Sequence, residues 1–417
     1  MRVFFSVGEP SGDLHGANLI RQLRERRPDI ECVGYGGPRM AQAGCDLHED
    51  LTRLAIMWFA RVLLNIHKFW ALYQRAKRYF RDNRPDAVAL IDYPGFNWWI
   101  ARAAKKHGIP VFYYGAPQLW AWAGWRVRKM RRFVDHVLCK LPFEANWYQR
   151  KGCNATYVGH PYFDELEGRS LDQTFLEDYG SRPGRLVAIL PGSRTQEVTM
   201  NLRWFLKAAR CVHKNAPDAR FAVASFNEKQ AEIARAQVAE SDLSIDVLVG
   251  RTPELIHLSR CTMACSGSVS LELLYHAKPT VVLYRVNWLP YLVATTLFMK
   301  VRFITLVNLL ATDDPFLRGS KYDPQRACAA DVPFPEYLTY EDRSEEIAGH
   351  ILSWLSDEEE YDRRVNRLAE LKAEHTSSGA SSTAADYILS KLPPPLPSTR
   401  VNQFELARMG QRRKISA

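Results

Sequence analysis

Leu190-Pro191-Gly192-Ser193-Arg194, followed three residues later by Glu197, comes straight after an apolar run, Leu186-Val187-Ala188-Ile189-Leu190. The run reads as a buried parallel strand. Pro191 and Gly192 stop it and turn the chain, so Ser193 and Arg194 stand where a helix should begin. A helix start offers unpaired N–H groups and a positive dipole end, which suits a phosphate. Arg194 adds an always-charged fork matched to phosphate oxygens. An ordinary strand-to-helix turn with a surface arginine fits the same residues. A second stretch, Cys265-Ser266-Gly267-Ser268-Val269-Ser270-Leu271-Glu272, has the same character. Ser266, Gly267 and Ser268 expose N–H groups between a strand and a helix. Glu272 offers a carboxylate to both hydroxyls of a ribose, with a solvated or capping glutamate as the alternative. Two phosphate-friendly loops in one sheet argue for a nucleotide.

The first half of the chain carries carboxylates in comparable places. Gly8-Glu9-Pro10-Ser11-Gly12-Asp13 follows the first apolar strand and forms a constrained loop. Glu9 and Asp13 either face a ligand there or are solvated, with Asp13 capping a helix. Ile91-Asp92-Tyr93-Pro94-Gly95-Phe96-Asn97 follows a wholly apolar strand, Ala87–Ile91. An aspartate at that point is a helix cap or a general base. Ala116-Pro117-Gln118-Leu119-Trp120-Ala121-Trp122, then Trp125-Arg126-Val127-Arg128-Lys129, is aromatic and basic. It could read sugar rings, acyl chains or single-stranded nucleic acid, or form a buried tryptophan cluster.

These loops need strands and helices to hold them. Strands are expected at Val3–Val7, Glu31–Tyr35, Asp86–Ile91, Pro110–Tyr114, His136–Lys140 and Ala155–Val158. Helices are expected at Leu19–Arg26, near Ile56–Tyr79, at Trp98–Lys106 and at Trp125–Arg132. The alternation restarts at Leu186, with helices at Leu202–Asn215, Asn227–Ala239, Thr252–Arg260 and Ser270–His276. The strands of this half fall at Phe221–Ala224, Ile245–Val249, Thr262–Ala264 and Thr280–Tyr284. Tyr340–Lys372 reads as charged and helical. Strands separated by helices imply α/β domains with parallel sheets. The expected fold is therefore two Rossmann-like doubly wound domains facing a cleft, joined near 165–185, with ligands at the carboxyl ends of strands. The spans are 1–170, 171–365, a helical segment 366–392 that returns to the first domain, and a Pro-rich basic tail, 393–417.

A chain of 417 residues supports two cores, and 47% hydrophobic with 24% charged residues is a globular composition. The formal charge of +10 points to anionic partners without choosing among nucleic acid, acidic lipid and phosphorylated substrate. Eight scattered cysteines without a C-x-x-C pair suggest reduced thiols, a cytoplasmic setting and no metal site. Leu54–Leu72 and Val286–Met299 are the most apolar stretches, and both fall short of a bilayer span. Each mixes Trp and Phe with nearby Arg and Lys, the composition of an interfacial helix, and a buried core helix is the alternative.

Taken together, these stretches resemble the lipid-A-disaccharide synthases, membrane-associated bacterial glycosyltransferases of family 19 and the GT-B type. The motifs that carry the resemblance are Gly8–Asp13, Ile91-Asp92 with Pro94 and Phe96-Asn97, and Pro117-Gln118 with Trp120-Ala121-Trp122. Pro142-Phe143-Glu144 with Gly159-His160-Pro161 follows, then Gly192–Arg194 with Glu197, Ser266-Gly267 and Leu271-Glu272. Tyr284-Arg285 and Asn308–Ala311 extend the match.

The resemblance implies transfer of 2,3-diacylglucosamine from UDP-2,3-diacylglucosamine to the 6-hydroxyl of 2,3-diacylglucosamine 1-phosphate (lipid X). The linkage is β-1,6, formed with inversion, and no cofactor or tightly bound metal is expected. Asp92 would be the general base. Gly192, Ser193, Arg194, Glu197, Ser266, Gly267, Ser268, Glu272 and Arg285 would hold the UDP-sugar. Glu9, Ser11, Asp13, Gln118 and Asn308 would lie near the sugars and the acceptor. Trp58, Phe59, Arg61, Leu63, Lys68 and Phe69 would touch an anionic inner-membrane surface, placing the protein at the cytoplasmic face. A homodimer exchanging C-terminal segments, and no nucleic-acid partner, also follow from the resemblance.

Pro10, Gly95 and Val307 depart from the family pattern, and Thr312–Phe334 and the tail after Pro393 look like additions. The rival readings are another GT-B enzyme with a UDP-N-acetylglucosamine-type donor, such as a lipid-linked transferase or an epimerase, and a non-catalytic lipid-binding protein.

Overall fold

A computed structural model describes residues 1–55, 66–316, 322–323, 332–376 and 378–392. The strands of the first half are β1 (Arg2–Val7), β2 (Glu31–Gly36), β3 (Cys45–Asp50), β4 (Ala87–Ile91), β5 (Val111–Tyr114), β6 (His136–Cys139) and β7 (Ala155–Tyr157). Those of the second half are β8 (Arg185–Leu190), β9 (Ala219–Ser225), β10 (Ile245–Val249), β11 (Cys261–Cys265), β12 (Thr280–Arg285) and β13 (Glu336–Thr339). The first sheet runs β3-β2-β1-β4-β5-β6-β7 and the second β10-β9-β8-β11-β12-β13. β1 pairs with β2 and β4, β2 with β3, β6 with β7, and every neighbour of the second sheet with the next, all in parallel, in keeping with the wholly buried runs of β4 and β11.

Strand order reverses direction between β1 and β4 in the first sheet, and between β8 and β11 in the second. Such a reversal parts the flanking loops and opens a crevice at the carboxyl ends of the two strands. Val7 pairs with Ile91 at the first reversal, and Leu190 with Ala264 at the second. The loop residues singled out in the sequence leave the sheets at these two points.

By compactness the chain divides into Met1–Tyr113 with Ser382–Ala417, and Tyr114–Ser381. In the second unit, successive residues of β8 face opposite layers. Val187 and Ile189 pack with Phe205, Ile351 and Trp354, while Leu186, Ala188 and Leu190 pack with Phe163, Leu271 and Leu274. The C-terminal helix Ala380–Lys391 is fixed at its start by Asp164, whose carboxylate accepts from the N–H groups of Gly379, Ala380 and Ser381 at 2.7, 3.0 and 2.9 Å. In the first unit Arg26 donates to Asp386 and Ser382 further along that helix.

The sequence places three helix starts too late, one of them at Trp98 where the helix begins at Pro94. The first helix begins at Pro10 rather than Leu19, and the helix after β8 begins at Thr195 rather than Leu202. A proline in the first turn is pre-set for helix, and Asp13 and Glu197 favour the positive ends. The charged region after Tyr340 is two helices, Ser344–Ser356 and Glu358–His375, parted by Asp357, which accepts from the Glu360 N–H.

Glu144 and Glu336 of the second unit are buried. Glu144 accepts from Trp120 Nε1 at 2.9 Å and from the Lys140 N–H at 3.0 Å. Glu336 accepts from the N–H groups of Ile304 and Thr305, the Thr305 hydroxyl and the Asn308 amide. Burial pushes each up to about 7 from an ordinary 4.5. A carboxyl raised in the folded state stabilises the fold while protonated, fully so below about 4.5, and that contribution is lost as pH rises through about 7. His276 and His350, pulled down by burial to about 4 from 6.5, act in the opposite sense, mostly below 6.5, and offset the loss by only about 0.3 kcal/mol each above it. Between pH 6.5 and 7.5 each glutamate should therefore cost roughly 0.5–1 kcal/mol. The thermal midpoint of unfolding is expected to fall across this interval. A midpoint that rises would assign the dominant titration to other groups.

Candidate active site

At the first strand-order reversal, β4 ends in a strained turn. Asp92 and Tyr93 both take positive φ, 45° and 43°, with no glycine between them. Such conformations cost about 1–3 kcal/mol each unless their surroundings fix them. Asn97, with no exposed surface, supplies the fixing. Its Nδ2 donates to the Asp92 carbonyl at 2.8 Å, and to those of Ser6 and Ile91 at 3.2 and 3.3 Å. Its Oδ1 accepts from the Ser6 hydroxyl at 2.7 Å. The buried Tyr113 hydroxyl donates to the Asp92 carbonyl at 2.6 Å.

The turn leaves the Asp92 side chain half-buried above the first turn of helix Pro10–Arg26. Its Oδ2 lies 3.7 Å from where a Cβ on Gly12 would stand. Glu9 caps this helix, and its backbone carbonyl accepts from the Asp13 N–H at 2.8 Å. The Glu9 charge helps to raise both Tyr93 and Tyr113, in each case after burial as the larger cause. Glu9 and Asp92 thus share one edge, with Ser11 exposed beside them.

Asp13 is a correction. It is 3% exposed, and its carboxylate accepts from the N–H groups of Gly37, Arg39 and Met40 at 2.9, 3.0 and 3.1 Å. It caps helix Pro38–Gln42 instead of facing a sugar.

At the second reversal, Gly192, Ser193 and Arg194 leave β8 while Ser266, Gly267 and Ser268 leave the adjacent β11. Arg285 ends β12, the next strand. Gly192 has φ 122°, and a Cβ there would lie 2.5 Å from Glu197 Cβ. Glu197 turns back on the loop. Its carboxylate accepts from the Ser193 and Arg194 N–H groups, both at 3.1 Å, and from the Arg194 guanidinium at 2.8 Å. Glu197 therefore shapes the loop and takes the place expected for an anion, which corrects its reading as a nucleotide contact.

The loops are tied down from below. Asn201 donates to the Pro191 carbonyl and accepts from the Arg285 N–H, and Gln230 donates to the Ser193 carbonyl. Ser266 donates to the Ile304 carbonyl at 3.2 Å, while Gly267 and Ser268 are exposed. The Arg285 guanidinium stacks over Trp204 at 5.0 Å, and its Nε is buried without a hydrogen-bond partner among the described residues. Glu272 is 3% exposed and accepts from the Tyr162 hydroxyl at 2.7 Å and from Arg169 at 2.6 Å. Burial is the main cause raising its carboxyl, against these two donors.

Gln118 is exposed, whereas Trp120 beneath it is buried on Glu144. Asn308 is a further correction. It is 1% exposed, donates to the Phe334 carbonyl and Glu336, and accepts from the Phe334 N–H. These bonds hold the segment before β13 and keep the side chain buried. Of the proposed membrane contacts, Trp58, Phe59, Arg61 and Leu63 lie outside the described residues. Lys68 is exposed, but Phe69 packs toward Tyr93 and Phe96. The exposed apolar side chains here are Ile66, Trp70 and Trp99. Asn97, Tyr113, Asn201, Tyr162 and Arg169 were missed as site residues. Polar Asn97 and Asn201 among apolar helix neighbours were the available signal.

A family model described as lipid-A-disaccharide synthetase matches residues 3–318. The chain belongs to the lipid-A-disaccharide synthase family. It is 32% identical over 394 residues to the lipid-A-disaccharide synthase of Myxococcus xanthus, covering 94% of this chain and 98% of that one. To the Syntrophus aciditrophicus enzyme of the same name it is 36% identical over 331 residues, covering 78% and 86%. Membership makes it a glycosyltransferase of lipid A biosynthesis.

Solved structures share the fold. The UDP-GlcNAc 2-epimerase of Neisseria meningitidis bound to UDP-GlcNAc matches with TM-score 0.61 at 12% identity, covering 94% of this chain and all of that one. The glycosyltransferase of kitacinnamycin matches with TM-score 0.59 at 15% identity, covering 94% and 99%. The two parallel-sheet α/β domains are those of the GT-B class.

Asn97→Ala removes the hub of the strained turn and leaves the Ser6 hydroxyl buried without its acceptor. A loss of about 2–3 kcal/mol in urea unfolding is expected. A loss under about 0.5 kcal/mol, within the range of ordinary surface substitutions, would show that Tyr113 alone suffices.

Proposed function

We propose that this protein transfers 2,3-diacylglucosamine from UDP-2,3-diacylglucosamine to the 6-hydroxyl of 2,3-diacylglucosamine 1-phosphate. The observation that carries the reading is the matched pair of strand-order reversals. One presents a carboxylate on a fixed turn, and the other presents two N–H-bearing loops with arginines. Asp92 takes the proton of the acceptor hydroxyl, the freed oxygen bonds to the anomeric carbon, and the bond to the UDP oxygen breaks on the opposite face. Inversion follows from this single displacement.

The departing diphosphate gathers charge that fixed donors must meet. Arg194, exposed at the loop, Arg285 with its unpartnered Nε, and the N–H groups of Ser266–Ser268 are assigned that role, so no step requires a metal. Glu272 is assigned to the ribose. Each of its carboxylate oxygens has one protein donor and can accept a second. Glu9, Ser11 and Gln118 are assigned to the acceptor side.

Ile66, Trp70 and Trp99, together with Lys68, support docking of the first unit on an anionic membrane at the cytoplasmic face. Among the described residues no helix is long and apolar enough to cross a membrane. The exchanged homodimer is proposed on the family resemblance alone.

Asp92→Asn should lower disaccharide formation by at least ~100-fold, the usual contribution of a positioned base, while UDP affinity stays near that of the parent protein. Mass spectrometry of product and calorimetry of UDP binding measure the two separately, and retained turnover would remove Asp92 as the base. Glu272→Ala should weaken UDP binding at least tenfold, about 1.4 kcal/mol. Unchanged affinity would move the ribose elsewhere.

A further inference from the structure

Beside the edge strand β13, the second unit holds a cavity of about 420 Å³. β13 and the chain after it form one wall, and helix Trp288–Val293 with the residues after it supplies Tyr291 and Thr295. Tyr322 and Asp323 also line it. Both belong to Thr312–Phe334, the stretch that looks like an addition to the family pattern. None of the residues assigned to UDP or to the acceptor lines this cavity.

Its charge is unbalanced. Arg302 lines the cavity, half-buried, with its guanidinium over the Phe303 ring at 5.2 Å. The Arg302 Nε is buried without a hydrogen-bond partner, and the side chain enters no ion pair among the described residues. The neighbouring charges are matched. Arg343 holds Glu341 at 2.6 Å and Glu346 at 2.9 Å, and four donors converge on Glu336. A cation drawn partly out of water without a counter-charge favours an anion beside it.

The cavity also has a ring platform. Tyr291 and Tyr340 meet edge to face at 5.2 Å, and Tyr340 keeps 44% of its surface exposed. Asp323 and Glu341 add carboxylate oxygens, each able to accept more than one donor.

We propose that this cavity is a second small-molecule site, taking a hydroxylated ring that carries one anionic group: a sugar phosphate or a sugar acid. Arg302 meets the anionic group, Tyr340 packs on the ring, and Asp323 and Glu341 accept from its hydroxyls. The same two carboxylates repel a ligand with several phosphates, and an aromatic anion without hydroxyls leaves them unused. The volume lies in the range of sites for one small ligand, roughly 300–1,000 Å³. The site is independent of the transfer reaction proposed above.

The test is calorimetry on the full chain with glucose 1-phosphate and, separately, glucuronate. UDP is present at saturation, so that the donor loops are occupied. At least one of the two ligands should bind, and preference between them tells which anionic group the site is shaped for. Arg302→Gln should weaken binding at least about tenfold, the loss of one charge-assisted contact. Tyr340→Ala should weaken it at least about threefold. Glu9→Gln, at the acceptor edge, should leave it unchanged.

No binding of either ligand to the parent protein would overturn the proposal. So would inorganic phosphate or neutral glucose binding as tightly as the anionic sugar. Binding that survives Arg302→Gln and is lost in Glu9→Gln would place the sugar at the acceptor edge and overturn it too. Thermal unfolding checks the fold of each variant, and Tyr340→Ala, at an exposed ring, decides the matter if Arg302→Gln does not fold. A UDP titration without sugar reads the donor site by itself, so its failure is distinguishable from failure of this one.

Discussion

A single buried amide holds the acceptor side together. Asn97 reaches the ends of β1 and β4 and the turn between β4 and the next helix, and it does so with both ends of its side chain. A turn with two consecutive non-glycine residues at positive φ would relax if left to local preference. The amide and the Tyr113 hydroxyl make relaxation cost two buried hydrogen bonds. Asn97 and Tyr113 both fix the turn that carries Asp92 through its backbone carbonyl. Because the pleated sheet is parallel and buried on both faces, the donors and acceptors of this hub have no water to turn to, which strengthens the constraint.

The second sheet solves the same problem by a different route. Among the described residues its loops carry no such pair of strained residues, and the chain turns at Gly192, where a side chain would strike Glu197. Glu197 and Asn201, both on the helix that follows β8, grip the loop from its two ends. Asn201 also reaches Arg285, so the loop after β8 and the end of β12 are registered to one side chain. The helix thus acts as a jig for two strands. Glu336 and Asn308 do comparable work one strand further on, where four donors converge on one carboxylate.

Apolar runs made the central strands legible, since β1, β4, β8 and β11 are short, β-branched or small, and bounded by turn residues. The edge strand β3, Cys-Asp-Leu-His-Glu-Asp, was not legible, because an edge needs little burial and its residues are mostly polar. β13 escaped for another reason. Its first residue is a buried glutamate whose partners lie about thirty residues away. The loops of the candidate site were visible as glycine, serine and charge after an apolar run. The tasks of individual side chains within them were less visible. Asp13 and Asn308 look like ligands in the chain and are caps and struts in space, since their partners lie 24 to 28 residues off. A short polar side chain at a loop has both roles open to it, and only tertiary placement decides between them.

The Tyr93 ring lies against Gly8, so close that an added Cβ would sit 2.5 Å from two of its carbons. Residue 8 precedes the helix beneath Asp92, and residue 93 is the second strained position of the turn above it. The two sites are therefore genetically coupled. A side chain at 8 becomes admissible only after the ring at 93 is lost, and loss of the ring opens a hollow that a side chain at 8 could fill. Either change alone is uphill and each relieves part of the cost of the other, so relatives should keep or exchange these positions together, leaving a trace of epistasis between two loops 85 residues apart in the chain.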